Sequence, residues 1–283
     1  MPVTDELERY HQVSYELSRR LTLRYSTSFG LSSRLFDAKI RPHIYAIYGL
    51  VRVADEIVDS YQGPKQGDIL SDLEKDTILA MQTGYSANVI VHCFVQTARM
   101  FKIPEEDIKA FFWSMRLDIS KSQYDQAGYE KYIYGSAEVI GLMCLRVFLG
   151  PDNDSEYQAL APGAQRLGSA YQKINFLRDM AADYQERGRV YFPDASFDTI
   201  NQSMKQQLTD DMRADLSIAK QSVDALPYSA RSAVRLSYRL YEQLLQQLER
   251  ADITEIKQRR LRVSNVIKFR FLAVELVRKA LRR

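Results

Sequence analysis

The chain has 283 residues, 46% apolar and 27% charged, enough to bury about three-quarters of its unfolded surface in a globular core. Its formal net charge of +3 is too small to call for nucleic acid, and no low-complexity tract or internal repeat appears. The start "MPVTDELERY" lacks the basic-then-apolar pattern of a secretory signal, and no uninterrupted run of about 18 apolar residues offers a bilayer-spanning helix.

In chain order, helical periodicity dominates. "VRVADEIVDS" at 51–60 reads as a helix, followed by a loop in "YQGPKQGD" at 61–68. Pro104 ahead of Glu105, Glu106 and Asp107 marks a helix start, with acids at the positive end of its dipole, running to about 121. "YEKYIYGSAEVIGLMCLRVFLG" predicts a helix whose small residues Gly135, Ser136, Ala137 and Gly141 admit a close neighbour, and Gly150-Pro151 ends it. A further helix is expected from near Pro162 to about Gln185, broken by Gly188 and Pro193 and followed by a loop over 187–203. Helices over 209–223, capped by Thr209, then 227–249 and 254–281 complete the chain. "GRVYFP" is the best strand-like stretch and is short. One all-α domain over 1–283 is the simplest account.

Asp55 and Asp59 are four residues apart in an apolar run, and Asp179 and Asp183 repeat that spacing in "INFLRDMAADYQERGRVYFP". Residues so spaced share a helix face, with Cβ atoms about 6 Å apart. Such acids repel each other, more so when desolvated, and need positive charge. Arginine supplies some of it. Facing sets of carboxylates also suit a hard dication, above all Mg²⁺, which shares oxygen ligands among carboxylate, water and phosphate. The plainer reading of either pair alone is a solvated helix surface. Arg52, Arg178, Arg189, Lys173 and Lys268 are candidate phosphate contacts, with Arg52 and Arg189 the stronger. The 18 Tyr and 12 Phe suit a wide core or a deep apolar cavity. Together these features describe a ligand with a phosphorylated head and an apolar tail.

Three stretches, "YSTSFGLSSRLF", "YAIYGLVRVADEIVD" and "YQKINFLRDMAADYQERGRVYFP", resemble the squalene and phytoene synthase family, with weaker likeness in "MRLD", "YIYGSAEVIG" and "RVSNVIK". The resemblance spans nearly the whole chain and implies an isoprenoid synthase fold, all-α with a central apolar cavity. It also implies head-to-head joining of two prenyl diphosphates. By it, Asp55, Glu56 and Asp59 form the first acidic motif and Asp179 and Asp183 the second, binding Mg²⁺, with Mn²⁺ as a substitute. Asn175 is a further metal ligand, preceded by Gln172. Ser26, Ser28, Phe29, Arg52, Arg189, Tyr191 and Lys268 fall to substrate binding, and Tyr48 and Tyr132 to catalysis. Glu56 departs from the family's second aspartate, Val51 from a frequent cysteine and Ala182 from a frequent glutamate. None removes a main metal-binding carboxylate.

Within the family the chain looks most like a bacterial phytoene synthase acting on geranylgeranyl diphosphate through a cyclopropyl intermediate. Farnesyl diphosphate, giving presqualene diphosphate, squalene or dehydrosqualene, is the alternative. NADPH is disfavoured, since no glycine-rich dinucleotide signature appears, although the family binds that cofactor without one. A non-catalytic helical scaffold is the reading from another class. A nucleic-acid binder has no use for paired carboxylates in apolar helices.

His11, His43 and His92 are scattered with no nucleophile motif, and Cys93 and Cys144 lack zinc-site spacing and read as buried free thiols. A cytoplasmic monomer is expected. The basic excess in "IKQRRLRV" and "VRKALRR", beside Phe269, Phe271, Leu272 and Val274, suits either peripheral contact with the inner face of a membrane or, more plainly, a docked helix with a basic outer face.

Overall fold

A computed structural model describes residues 4–120, 124–188, 191–193 and 195–281. The helices in chain order are α1 (Asp5–Tyr25), α2 (Thr27–Ser33), α3 (Arg41–Asp55), α4 (Gln66–Thr83), α5 (Val89–Met100), α6 (Glu105–Ser120) and α7 (Gln126–Ile133). They continue with α8 (Val139–Leu149), α9 (Asp154–Arg187), α10 (Gln202–Ala225), α11 (Tyr228–Arg250), α12 (Ile253–Gln258) and α13 (Asn265–Ala280). A π turn, Glu56–Ser60, extends α3, and another, Tyr134–Glu138, fuses α7 to α8. No strand occurs among the described residues, which include only part of "GRVYFP".

Side-chain caps fix most helix starts. Thr4, Ser26, Asn88, Asn201 and Ser264 each accept from a backbone N–H two or three residues on. Asn201 corrects the expected start of α10: Thr209 does not cap but lies buried inside the helix, donating to the Gln206 carbonyl at 2.9 Å. Helix α9 starts earlier than expected, at Asp154, and carries Pro162 within it. The predicted helix over 254–281 is two helices, parted by a non-helical segment at 259–264. The stretch Gln126–Leu149 is long and apolar enough to cross a membrane, contrary to the sequence expectation. Its apolar window is 61% buried, and it packs against α6 and α9, so it is a core helix.

Around α9 the other helices assemble: α10 on one flank, α8 and its π turn on another, with α11 and α12 closing the ring. The α8–α9 crossing is close because glycine lines it. A Cβ on Gly168 would stand 2.5 Å from the Ala137 carbonyl oxygen, and one on Gly141 would stand 2.7 Å from that of Ala164. Helices α1, α3 and α5 form a second layer. Ile44, Ile47, Leu50, Phe94, Phe112 and Ile174 are at most 1% exposed, each such side chain contributing about 1.5–3 kcal/mol of burial. Cys93 and Cys144 are free thiols, as expected.

Candidate active site

A cavity of about 550 Å³ lies between α2, α3, α8, α9, α10 and α11. Its lining is graded. Ser26, Ser28, Gln172, Asn175, Arg178 and Arg260 line one end, and Phe36, Phe148, Leu160 and Leu226 the other. Along α9, from Arg178 to Leu160, the span is about 27 Å at ~1.5 Å per residue. Small residues, Ala137, Gly141, Gly163 and Gly168, make its middle wide. The Ser136 hydroxyl, buried in that apolar middle, has no hydrogen-bond partner.

At the polar end, the α1–α2 junction folds against α3. Ser26 caps α2 by accepting from Phe29 N at 3.1 Å, which sets the Phe29 ring on Tyr48 at 5.1 Å and 11°. Tyr48 also hydrogen-bonds Ser26. Its hydroxyl is pushed up by burial, against the opposing pull of Arg52, and lies within electrostatic reach of Asp55 and Tyr241. The Arg52 guanidinium stands over the Tyr25 ring at 4.3 Å, 3.9 Å from Asp55 and directly bonded to Glu56. Asp55 keeps 33% of its side chain exposed, yet desolvation by the surrounding protein, and then Asp59, push its carboxyl up to about 8. Arg52 only partly offsets this.

The second acid pair lies on α9. Asp179 is gripped by Arg178, whose Nε donates to Oδ1 at 2.8 Å and whose Nη2 bonds Oδ2. Arg260 grips it from the other side, with Nε 2.7 Å from Oδ1 and Nη2 donating to Oδ2 at 3.1 Å. Asp183 is within electrostatic reach of both arginines. The Tyr241 hydroxyl donates to Asn175 Oδ1 at 3.3 Å, and Tyr241 is also in the field of Tyr48 and Arg178. The two acidic segments are thus joined through Tyr48, Tyr241 and Arg178. Arg260 was not singled out from sequence. It sits in the non-helical link before α13, its guanidinium pKa lowered by burial and by Arg178 and Arg262 despite Asp179. Such crowded positive charge is suited to an anion.

A buried aromatic group adjoins the first acids. Tyr132, 2% exposed, donates its hydroxyl to both oxygens of Asp118 at 2.9 Å. Tyr191 stacks on Phe176 at 3.9 Å and 7°, its ring 5.6 Å from Tyr132 and its hydroxyl 3.5 Å from Asp118. Asp118 in turn raises the Asp55 carboxyl. "MRLD" had pointed to this segment without giving Asp118 a role.

Other expected contacts lie elsewhere. Lys173 faces away from the cavity, bonding Asp211 at 2.5 Å and Asp215 at 2.7 Å, because one residue past Gln172 turns about 100° around α9. Lys268 sits on α13 and is not among the cavity-lining residues. Arg189 lies outside the described residues.

The donor set suits a hard dication in its chemistry. It consists of carboxylate and amide oxygens, and desolvation with Asp59 alongside pushes the Asp55 carboxyl up despite Arg52, a position a bound dication would relieve. Among the described residues no three acidic, His or Cys side chains converge as a chelate, so protein ligation requires completion by phosphate or water oxygens.

Residues 22–266 match the model of the squalene/phytoene synthase family. A phytoene synthase from Arthrospira platensis is 27% identical over 270 residues, covering 87% of both chains. A 15-cis-phytoene synthase from Synechocystis is 28% identical over 292 residues, covering 94% of this chain and 85% of that one. A 4,4'-diapophytoene synthase from Staphylococcus haemolyticus is 23% identical, covering 84% and 88%. Among solved structures, a dehydrosqualene synthase superposes with a TM-score of 0.79 at 19% identity, covering 97% and 99% of the two chains. The squalene synthase HpnC from Alicyclobacillus acidocaldarius gives 0.75 at 21%, covering 85% and 94%. These superpositions carry the all-α isoprenoid synthase fold. Because the family match runs unbroken through Ser26, both acid pairs and Arg260, the chain is an enzyme of the squalene/phytoene synthase family.

Proposed function

We propose that the enzyme joins two geranylgeranyl diphosphates head to head, giving phytoene through a cyclopropyl (prephytoene) diphosphate. The graded cavity carries this reading. Its serine, amide and arginine end adjoins both acid pairs, while its far end is lined by Phe36, Phe148, Leu160 and Leu226. That is the polarity of a prenyl diphosphate. The likeness to phytoene synthases favours the C20 substrate. Likeness to the 4,4'-diapophytoene synthase supports the alternative, farnesyl diphosphate.

Asp55, Glu56, Asp59, Asn175, Asp179 and Asp183 would hold Mg²⁺, or Mn²⁺ in its stead. When bound, the ion draws charge onto the diphosphate oxygens and favours departure of that group. Arg52, Arg178 and Arg260 supply planar forks of donors to the same oxygens. The carbon–oxygen bond of one substrate breaks, its electron pair leaving with diphosphate, and the double bond of the second substrate attacks the allylic carbon. Closure of the cyclopropane releases a proton, which the departed diphosphate accepts. A second ionisation opens the ring toward the linear product, again with loss of a proton.

Phe29 and Tyr171, which line the cavity, offer aromatic rings to positive carbon, while Tyr48, Tyr132, Phe176 and Tyr191 form the stacked layer behind that wall. The Tyr132 proton is committed to Asp118, so that hydroxyl presents its oxygen rather than its proton to the site. The apolar wall excludes water that would trap the cation as an alcohol. No reductant is needed for phytoene, and NADPH belongs to the squalene alternative. A monomer is the expected state. A cytoplasmic position on the inner membrane face suits a substrate whose tail partitions into lipid.

The test incubates purified protein with Mg²⁺ and each substrate separately, with and without NADPH, and identifies products by mass. Phytoene from the C20 substrate without NADPH is expected. C30 products from the C15 substrate alone would replace the reading with its alternative, and absence of Mg²⁺-dependent diphosphate release from either would overturn both.

A further inference from the structure

Helix α13 turns an apolar stripe outward. Apolar residues among its exposed ones recur at helical spacing: Val266 (78% exposed), Phe269 (62%), Leu276 (49%) and Val277 (58%), with Ala273 between them and Ala280 after, and Arg270 at the edge. Leu281, 82% exposed, prolongs the same face past the helix end. Scattered exposed apolar residues are ordinary, but a continuous stripe on one helix is not.

The face turned to the protein mixes apolar and polar contacts: Phe271 and Leu272 pack against the core, and Arg239 stands over the Phe271 ring at 4.4 Å. Glu275, fully buried, pairs with Arg278 at 3.0 Å, Arg239 at 3.6 Å and Arg235 at 3.8 Å. Lys279 donates to the Leu35 carbonyl at 2.6 Å, and Tyr228 donates to the Lys279 carbonyl at 2.8 Å. Inward packing accounts for Phe271 and Leu272 but not for the exposed stripe, which lies opposite the buried Glu275.

Charge identifies what covers this face. From 259 to 281 the sequence has seven basic residues (Arg259, Arg260, Arg262, Lys268, Arg270, Arg278 and Lys279) against one acid, Glu275. That acid is buried, and Arg262 and Arg270 are exposed. A large apolar stripe rimmed by basic side chains matches the boundary between anionic headgroups and acyl chains. The family match ends at residue 266, so nearly all of α13 lies beyond it.

We propose that α13 is a membrane-surface helix, laying Val266, Phe269, Ala273, Leu276 and Val277 into an anionic bilayer with Arg262 and Arg270 at the phosphates. Helix α13 packs on α11 and α2, two walls of the cavity. Docking therefore brings the cavity beside the lipid in which an isoprenoid tail dissolves. Binding stands independently of the reaction; its use in delivering substrate rests on the prenyl diphosphate reading.

The experiment is flotation of the purified full chain with vesicles of phosphatidylcholine alone and of equimolar phosphatidylcholine and phosphatidylglycerol. Binding to the anionic vesicles, weakened by salt, is expected. Arg270→Gln should weaken it about fivefold, and Phe269→Glu with Val277→Glu should reduce it at least tenfold. Because those side chains are exposed, thermal melting should not change, nor should diphosphate release from substrate in detergent micelles. Failure of the parent chain to bind anionic vesicles, or undiminished binding by the double variant, would overturn the proposal. So would light scattering that finds a dimer dissociated by the same changes, which would make the stripe an interface between copies. If no prenyl substrate reacts but the vesicle results hold, the membrane helix stands and only the catalytic reading falls.

Discussion

Arg260→Ala separates a diphosphate contact from a merely structural ion pair. The Arg260 side chain is 47% exposed and joins Asp179 as a two-pronged fork, with Nε 2.7 Å from Oδ1 and Nη2 3.1 Å from Oδ2. An ion pair so exposed is worth about 0–1 kcal/mol to the fold. Its loss should therefore move the melting temperature by no more than about 2–4 °C for a chain of this size. Against a bound diphosphate the same guanidinium makes charge-assisted hydrogen bonds worth about 1.5–3 kcal/mol. At ~1.4 kcal/mol per tenfold, kcat/KM should fall roughly 10- to 150-fold.

The assay couples diphosphate release to a pyrophosphatase and follows phosphate at saturating Mg²⁺, resolving kcat from KM. Arg260→Lys, which keeps the charge but not the fork, should recover part of the loss. The double variant with Asp179→Asn tells a ligand from a clamp. If Arg260 acts only by holding Asp179, the double variant will match Asp179→Asn alone. A kcat/KM within twofold of the parent in Arg260→Ala would refute the reasoning outright.

Asp179→Asn should lower turnover on the order of 100-fold with the far-ultraviolet circular dichroism unchanged; unaltered turnover would remove Asp179 from the site. Phe36 and Phe148 stack at 5.4 Å at the apolar end of the cavity. Phe148→Ala should therefore shift competition between C15 and C20 substrates toward the longer one, while costing about 3 kcal/mol in urea unfolding; an unchanged preference would mean that the stack does not limit depth. Burial holds the His43 pKa down, from 6.5 to about 4, beside Tyr15 and Thr97. The unfolded chain thus takes up a proton below pH 6.5 that the folded chain refuses until about 4. Stability from this group is full above pH 6.5 and lost across that window, by up to about 3 kcal/mol. His43→Gln should flatten the acid limb relative to the parent in urea titrations at each pH, and parallel curves would contradict the assignment.

The acidic segments were legible because helix period alone puts Asp55 with Asp59 and Asp179 with Asp183, and the resemblance named the serines, Gln172 and Asn175. Arg260 was not. "QRRLRVS" contains neither glycine nor proline, so local propensity continues the helix from 254. What breaks it is tertiary: Leu261 and Val263 pack onto the core, and Ser264 restarts the chain by accepting from Ile267 N at 3.4 Å. Lys173 differs, since helix period alone turns it about 100° from Gln172 and onto Asp211 and Asp215. Thr209 has the composition of a cap, but the side chain of Asn201 accepts from Met204 N and starts the helix two turns earlier. The π turn at Tyr134–Glu138 has no sequence signature beyond small residues, yet it carries the unpartnered Ser136 hydroxyl into the cavity wall.

Helix α9 relates these pieces to one another. Its period sends Gly163, Ala164, Leu167 and Gly168 into the cavity, followed by Tyr171, Gln172, Asn175 and Arg178. On the proposed reading, position along this single helix is position along the prenyl diphosphate: volume first, then hydroxyl and amide, then charge. Off that face, Ser169 and Lys173 bond Asp215 of α10 at 3.2 Å and 2.7 Å, which fixes the rotation of α9 from behind. A slip of one residue would swing about 100° of helix face, trading Asn175 and Arg178 for apolar neighbours and leaving the Lys173 charge buried without its partners, a penalty of several kcal/mol. The buried ion pairs on the far side of α9 are therefore best understood as setting the register of the site.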